Sequence, residues 1–185
     1  ACVAKDVTQD AITDVNECQA LHQIDTTVKL AFAPVTGANE TTNTCVACPA
    51  NANDNECTGV AFDSAKCPSG RKLNEAATEC VAKDVTQDAI TDVNECEALH
   101  QIDTKVKLAF INSQCVACPT NATACTGAAF ATGDCPSGRK LNAGATACVA
   151  KDVTQDAITD VNECQALHQI DTTVKLAFAP VTGAN

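Results

Sequence analysis

Apolar residues recur at helical spacing along the first stretch of the chain. Val7, Ala11, Val15, Cys18 and Leu21 fall at steps of four, four, three and three, the stripe of an amphipathic helix. Asp6 stands in the N-cap position, with Gln9 three residues on as in a capping box, so the pattern predicts a helix over 7–23. The period then changes. Val28, Leu30 and Phe32 alternate with Thr27, Lys29 and Ala31, which predicts a half-buried strand over 27–32. From Cys45 to Cys80 the pattern breaks up. Pro49, Gly59, Pro68 and Gly70 divide this stretch into turns and short strands. The segment from Cys67 to Cys80 reads as a tight hairpin closed by its end cysteines.

The whole pattern then returns. Residues 2–32 recur at 80–110 with two changes, Gln19 to Glu97 and Thr27 to Lys105, and residues 1–39 recur at 147–185 with none. Cys2 to Cys80 is 78 positions and Cys80 to Cys148 is 68, so full identity is restored over 146 residues. The second repeat is shorter because Ala33–Thr44 contracts to Ile111–Gln114 and the stretch between Cys48 and Cys57 loses two residues. The repeats run over 1–79, 80–147 and 148–185, the last being a first half only. A chain that begins on Ala, lacks Met and stops in mid-repeat is expected to be a window on a longer polypeptide. The expected fold is a linear tandem array of small disulfide-rich α+β units. Each has one helix with short strands and turns, and each contacts mainly its neighbours.

Composition changes this picture in one respect. The chain holds 14 Cys in 185 residues, no Trp or Tyr, and five Phe. The 45% hydrophobic content is inflated by Ala and Cys. A unit of about 70 residues with so few large side chains is near the limit where burial alone offsets chain entropy. Disulfides at roughly 2–4 kcal/mol each would close that gap. They place the protein outside the cytosol, secreted or at the cell surface. A net charge of −11 argues against nucleic acid, which needs a basic footprint. No apolar run approaches the length of a membrane span.

Spacing alone leaves the disulfide connectivity open. A helix over 7–23 would hold Cys2 and Cys18 on the order of 20 Å apart at about 1.5 Å per residue, too far for a bond. The preferred set is Cys67–Cys80 and Cys135–Cys148 across the repeat boundaries, Cys48–Cys57 and Cys118–Cys125 closing short loops, and Cys18–Cys45 and Cys96–Cys115. Cys2 and Cys164 are then left seeking partners elsewhere. The rival set keeps every bond inside a repeat, as 2–18, 45–57 and 48–67, and uses all the cysteines.

Little in the chain points to chemistry. The CxxC pairs at 45–48 and 115–118 are too far apart to combine into a structural zinc site, and a redox pair would not be repeated among so many cysteines. His22, His100 and His168 recur once per repeat with no nucleophile spaced around them, and read as structural. No nucleophile, base and orienter assemble, so no enzyme, metal or cofactor is expected. Asp14-Val-Asn-Glu-Cys18, repeated at 92–96 and 160–164, resembles the start of calcium-binding EGF modules. Asp6, Asp10 and Asp14 would line one face of the predicted helix, a weak calcium candidate. Asn39 and Asn121 head N-x-Thr sequons in expected loops, Asn39 in the insert that the second repeat lacks.

Cys45-Val-Ala-Cys48, the turn-rich stretch after it, and Cys67-Pro-Ser-Gly through Cys80-Val resemble the periodic-cysteine repeats of ciliate immobilisation antigens. The Cys-Pro-x-Gly segment is also similar to ephrin-receptor-like and TNF-receptor-like modules. The resemblance covers mainly 45–80 and 115–148. It implies a lipid-anchored, antigenic surface coat with no catalytic residues to carry over. The expected function is therefore that of a structural glycoprotein of an extracellular coat or filament. An adhesive or ligand-binding ectodomain is the alternative. The expected partners are neighbouring repeats and other copies of the chain, with Thr27–Phe32 as an open strand edge for pairing.

Overall fold

A computed structural model describes residues 6–7, 10–36 and 41–179 of the 185. It falls into two compact units, residues 1–87 and 88–185, each a small disulfide-rich α+β fold. Unit 1 runs α1 (Val15–Ile24), β1 (Leu30–Thr36), β2 (Thr41–Ala47), β3 (Thr58–Ala61), β4 (Arg71–Leu73) and β5 (Cys80–Ala82). Unit 2 runs α2 (Val93–Ile102), β6 (Leu108–Ile111), β7 (Gln114–Ala117), β8 (Arg139–Leu141), β9 (Cys148–Ala150) and α3 (Val161–Ile170).

The helix starts eight residues later than its apolar stripe predicts. Asp14, not Asp6, is the N-cap, and its carboxylate accepts from the Asn16 N–H at 2.8 Å. Asp92 and Asp160 cap α2 and α3 from the same place, accepting from Glu95 N and Glu163 N. The pentapeptide Asp-Val-Asn-Glu-Cys is thus a helix start, an Asp N-cap with Glu at the third helical position. The residues before it are held in local turns instead. The Asp84 carboxylate takes both the N–H and the hydroxyl of Thr86, and Asp152 does the same with Thr154. Such Asx turns compete directly with helix. Ile12 and Ile90 then run extended and buried, and their carbonyls accept from Cys45 N and Cys115 N at 2.8 and 2.9 Å.

The strand expected over 27–32 is displaced and is not half-buried. β1 begins at Leu30, and Val28 is exposed. Its two faces enter two different cores. Leu30 packs with Ile12, Cys18 and Cys45 beneath the helix, while Ala31 and Ala33 pack with Phe62, Cys57 and Cys80 on the other side. Small Ala residues on the second face let Phe62 lie against the strand. β1 offers no open edge either, because it is the middle strand of the order β2-β1-β3.

Most of the length difference between the repeats is a hairpin extension. In unit 2, β6 and β7 pair from Leu108↔Ala117 to Ile111↔Gln114. They are closed by Asn112-Ser113, both at positive φ (51° and 62°), the two-residue turn whose twist suits a hairpin. In unit 1 the same hairpin continues through Ala33↔Thr44 to Thr36↔Thr41. Beyond the hairpin both units follow one plan. The Cys-Pro-Ser-Gly segment forms a turn with Arg71 N bonded to Pro68 O and Gly70 at φ +77°, as a type II turn requires. It leads into the β4–β5 pair, with Leu73 opposite Cys80.

Candidate functional site

The feature built with most care in both units is the junction where the helix, the hairpin and a glycine meet. Cys18 of α1 is fully buried and bonded to Cys45 of β2, with Cα atoms 5.5 Å apart. Cys96 and Cys115 repeat this at 5.5 Å. Gly59 lies directly on the helix. A Cβ there would stand 2.6 Å from the Cys18 carbonyl oxygen, and one at Gly127 would stand 2.4 Å from that of Cys96. Both glycines also have φ near +75°, so the close approach and the conformation each exclude a side chain. His22 closes the other end of the helix. Its Nδ1 bonds the Val28 carbonyl at 2.8 Å, and His100 and His168 make the same bond to Val106 and Val174. The histidines join the helix C-terminus to the following turn, a structural role.

The structure brings the remaining cysteines together as Cys48–Cys57, Cys67–Cys80, Cys118–Cys125 and Cys135–Cys148, with Cα separations of 5.6, 5.7, 5.8 and 5.6 Å. The arrangement confined within each repeat does not occur, because Cys18 is joined to Cys45 and Cys48 to Cys57. Cys164 carries a free thiol, and Cys2 lies outside the described residues. The Cys67–Cys80 hairpin is pinned further by the Arg71 guanidinium, which donates to the Cys80 carbonyl at 2.8 Å. Asn74 caps its loop by accepting from Thr78 N and Glu79 N.

Other sequence candidates separate. Asp14 caps α1, whereas Asp6 and Asp10 are bonded to each other's backbone in a turn ahead of it. The three do not share a helical face. Among the described residues no His, Cys, Asp and Glu group in threes as a metal site would. No helix there is long and apolar enough to cross a membrane. Asn121 is exposed in a turn at φ +64°, and Asn39 lies outside the described residues.

In unit 2 the start of the third repeat is fastened to the hairpin of the second, a contact with no signal in the spacing. α3 rests on the Cys-Pro-Ser-Gly turn, where a Cβ at Gly138 would meet the Leu167 backbone at 3.1 Å. Lys140 pairs with Asp156 at 2.7 Å, and Lys151 pairs with Glu163. The second Glu163 oxygen accepts from Thr159 N just before the helix.

The electrostatics serve the same turns. The Thr27 hydroxyl, then its N–H, hold the Asp25 carboxyl below the ordinary 3.8. Thr173 does this for Asp171 and Thr154 for Asp152, and the Lys140 ammonium does it for Asp156. These depressed groups bind protons more weakly when folded than when unfolded. The stability they contribute is therefore present above about pH 4 and is lost as pH falls through the folded values. Urea midpoints measured from pH 7 to pH 2 are expected to fall on that acid limb. Asp25→Asn should flatten it slightly, since the group is exposed. A variant profile that overlays the parent's would remove Asp25 from the account.

No family model, characterised protein or solved structure matches the chain. Six disulfides among the described residues are those of a chain that folds in an oxidising, extracytoplasmic setting.

Proposed function

We propose that this chain is a structural component of an extracellular surface coat or fibre, a linear array of stapled repeats resembling the immobilisation antigens. The observation that carries the reading is the frame itself. The same three bonds, the same glycine against the helix and the same hairpin recur in two units whose sequences differ chiefly in hairpin length. Conserving the frame while varying a hairpin suits a protein whose structure is its product. The fastening of α3 to the preceding hairpin supports repeat-on-repeat stacking. Acidic charge and a glycan at exposed Asn121, and at Asn39, would keep such an array dispersed.

Scattering from chains of increasing repeat number tests the array. The maximum dimension is expected to grow in proportion to repeat number, and a cube-root dependence would sink the reading. Filaments in electron micrographs would point to a self-assembling fibre, and single particles to a tethered coat. The glycan is tested separately. Digestion with an N-glycosidase of protein secreted from a eukaryotic host is expected to lower its mass and convert Asn121 to Asp, and an unchanged mass at Asn121 would exclude it there.

A further inference from the structure

The second repeat differs from the first over 80–110 at two positions only, and both changes introduce charge, of opposite sign. Gln19 becomes Glu97 on α2, and Thr27 becomes Lys105 in the turn that follows it. The third copy returns to Gln165 and Thr173. The fold of unit 2 leaves both new charges unused. Lys105 is exposed and Glu97 half-buried. Among the described residues neither side chain is hydrogen-bonded or ion-paired, with the other or with anything else. Cys96, Leu99 and His100 are the buried side of α2, so helical spacing puts Glu97, Ala98, Gln101 and Ile102 on its outward face. That surface is partly apolar. Ile102 is 37% exposed, and Val106, next to Lys105, is 46% exposed. Ile170 and Val174 of the third copy stand at 38% and 43%, so the apolar part is common to the repeats and the charges alone mark the second.

We infer that this face is a self-complementary contact, and that its occupant is α2 of a second copy of the chain, laid antiparallel. Charge complementarity selects that partner. Glu97 and Lys105 stand four positions either side of Gln101. A two-fold axis over Gln101 sets Glu97 of each copy against Lys105 of the other, so one pair of substitutions makes two ion pairs. Ile102 of each copy then falls near Ala98 of the other, whose small side chain admits it. A parallel arrangement would set Glu97 on Glu97 and Lys105 on Lys105, and the first and third repeats offer only Gln and Thr. The charges thus fix orientation and register, as those flanking a helical seam do. Second-type repeats meet second-type repeats, at the 146-residue period. β1 cannot serve for such pairing, because it is the middle strand of its sheet. A single exposed contact of this kind is weak, and repetition along a longer array would strengthen it by avidity. The contact belongs to α2 and its turn, so it stands or falls separately from the coat or fibre reading.

The test uses the full chain with Cys2→Ser and Cys164→Ser, so that no disulfide dimer contributes. Sedimentation equilibrium at low ionic strength is expected to show a concentration-dependent dimer that added salt weakens. Glu97→Lys alone, or Lys105→Glu alone, turns both cross-pairs into like-charge contacts and should weaken dimerisation about tenfold or more. The sign is informative for Glu97→Lys, which lowers the net negative charge and by general repulsion alone would strengthen association. Mixing the two single variants restores both pairs, so the mixture should form heterodimers about as strongly as the parent forms homodimers. The chain carrying Glu97→Lys and Lys105→Glu together should again dimerise by itself. These two arms separate a lost contact from a lost fold. A parent that stays monomeric at about 1 mM would overturn the proposal. So would single variants that associate as well as the parent, or a mixture no stronger than its components, since another face would then carry the association.

Discussion

Reduction of the disulfides is expected to unfold the chain without any denaturant. In unit 1 the bonds join residues 27, 9 and 13 positions apart. Closing loops of those lengths removes about 9 kcal/mol of unfolded-chain entropy in total on the loop-closure model. That is as large as the whole stability of a typical small domain, about 5–15 kcal/mol. The apolar cores cannot compensate. The largest fully buried side chains are one Phe and a few Ile and Leu, and the other members of the main cluster are Ala and Cys. Five of its six buried members, Ala31, Ala33, Cys57, Ala77 and Cys80, are small. The cysteines are themselves much of the core, so reduction both loosens the chain and leaves thiols where bonded sulfur packed. Amide dispersion in a proton–nitrogen NMR spectrum, recorded oxidised and then in excess phosphine, checks this. Dispersion that survives reduction would show that packing alone holds the fold.

A side chain at Gly59 or Gly127 should be nearly as damaging. The left-handed conformation costs an ordinary residue about 1–2 kcal/mol, and forcing atoms into a packed contact adds about 1–3 kcal/mol. The two terms operate together, because the new Cβ would meet the helix backbone and not a flexible side chain. Relief requires the helix to move, and the helix is tethered at that residue by the Cys18–Cys45 bond. Gly127→Ala is expected to lower stability by about 3 kcal/mol or more and to slow oxidative folding, since Cys96 and Cys115 can no longer meet without displacement. Gly133→Ala is the control. No atom lies within 4 Å of its added carbon, and it should change the urea midpoint little. Equal midpoints for the two variants would contradict the close approach.

Much of the frame was legible because its signals are local or periodic. The Cys-Pro-Ser-Gly turn and the closed hairpin depend on residues a few positions apart, and the repeat shows as the same residues returning in the same order. The helix shows where local reading stops. An apolar stripe from Val7 suits a helix as well as it suits a turn followed by a buried extended segment. Thr86 and Thr154 settle the matter by occupying the Asp84 and Asp152 carboxylates, and Ile12 settles it by reaching a strand more than thirty residues away. The two-sided burial of β1 was likewise hidden. Alternation marks one apolar face, and Ala on the other face carries no signal until Phe62 packs against it.

One sequence in this chain occurs in two environments and separates the two levels. Residues 161–179 are identical to 15–33. In both places the helix forms with Asp at its N-cap, and the histidine bonds the carbonyl six residues on. Those features belong to the sequence alone, because every partner lies within a turn or two. The strand does not. Leu30, Ala31 and Ala33 are buried in β1, whereas 176–179 form no strand and Ala177 and Ala179 are exposed. A strand's hydrogen bonds and a buried face come from other segments, so the same residues become β structure only where a hairpin partner and a Phe62-like anchor are folded against them.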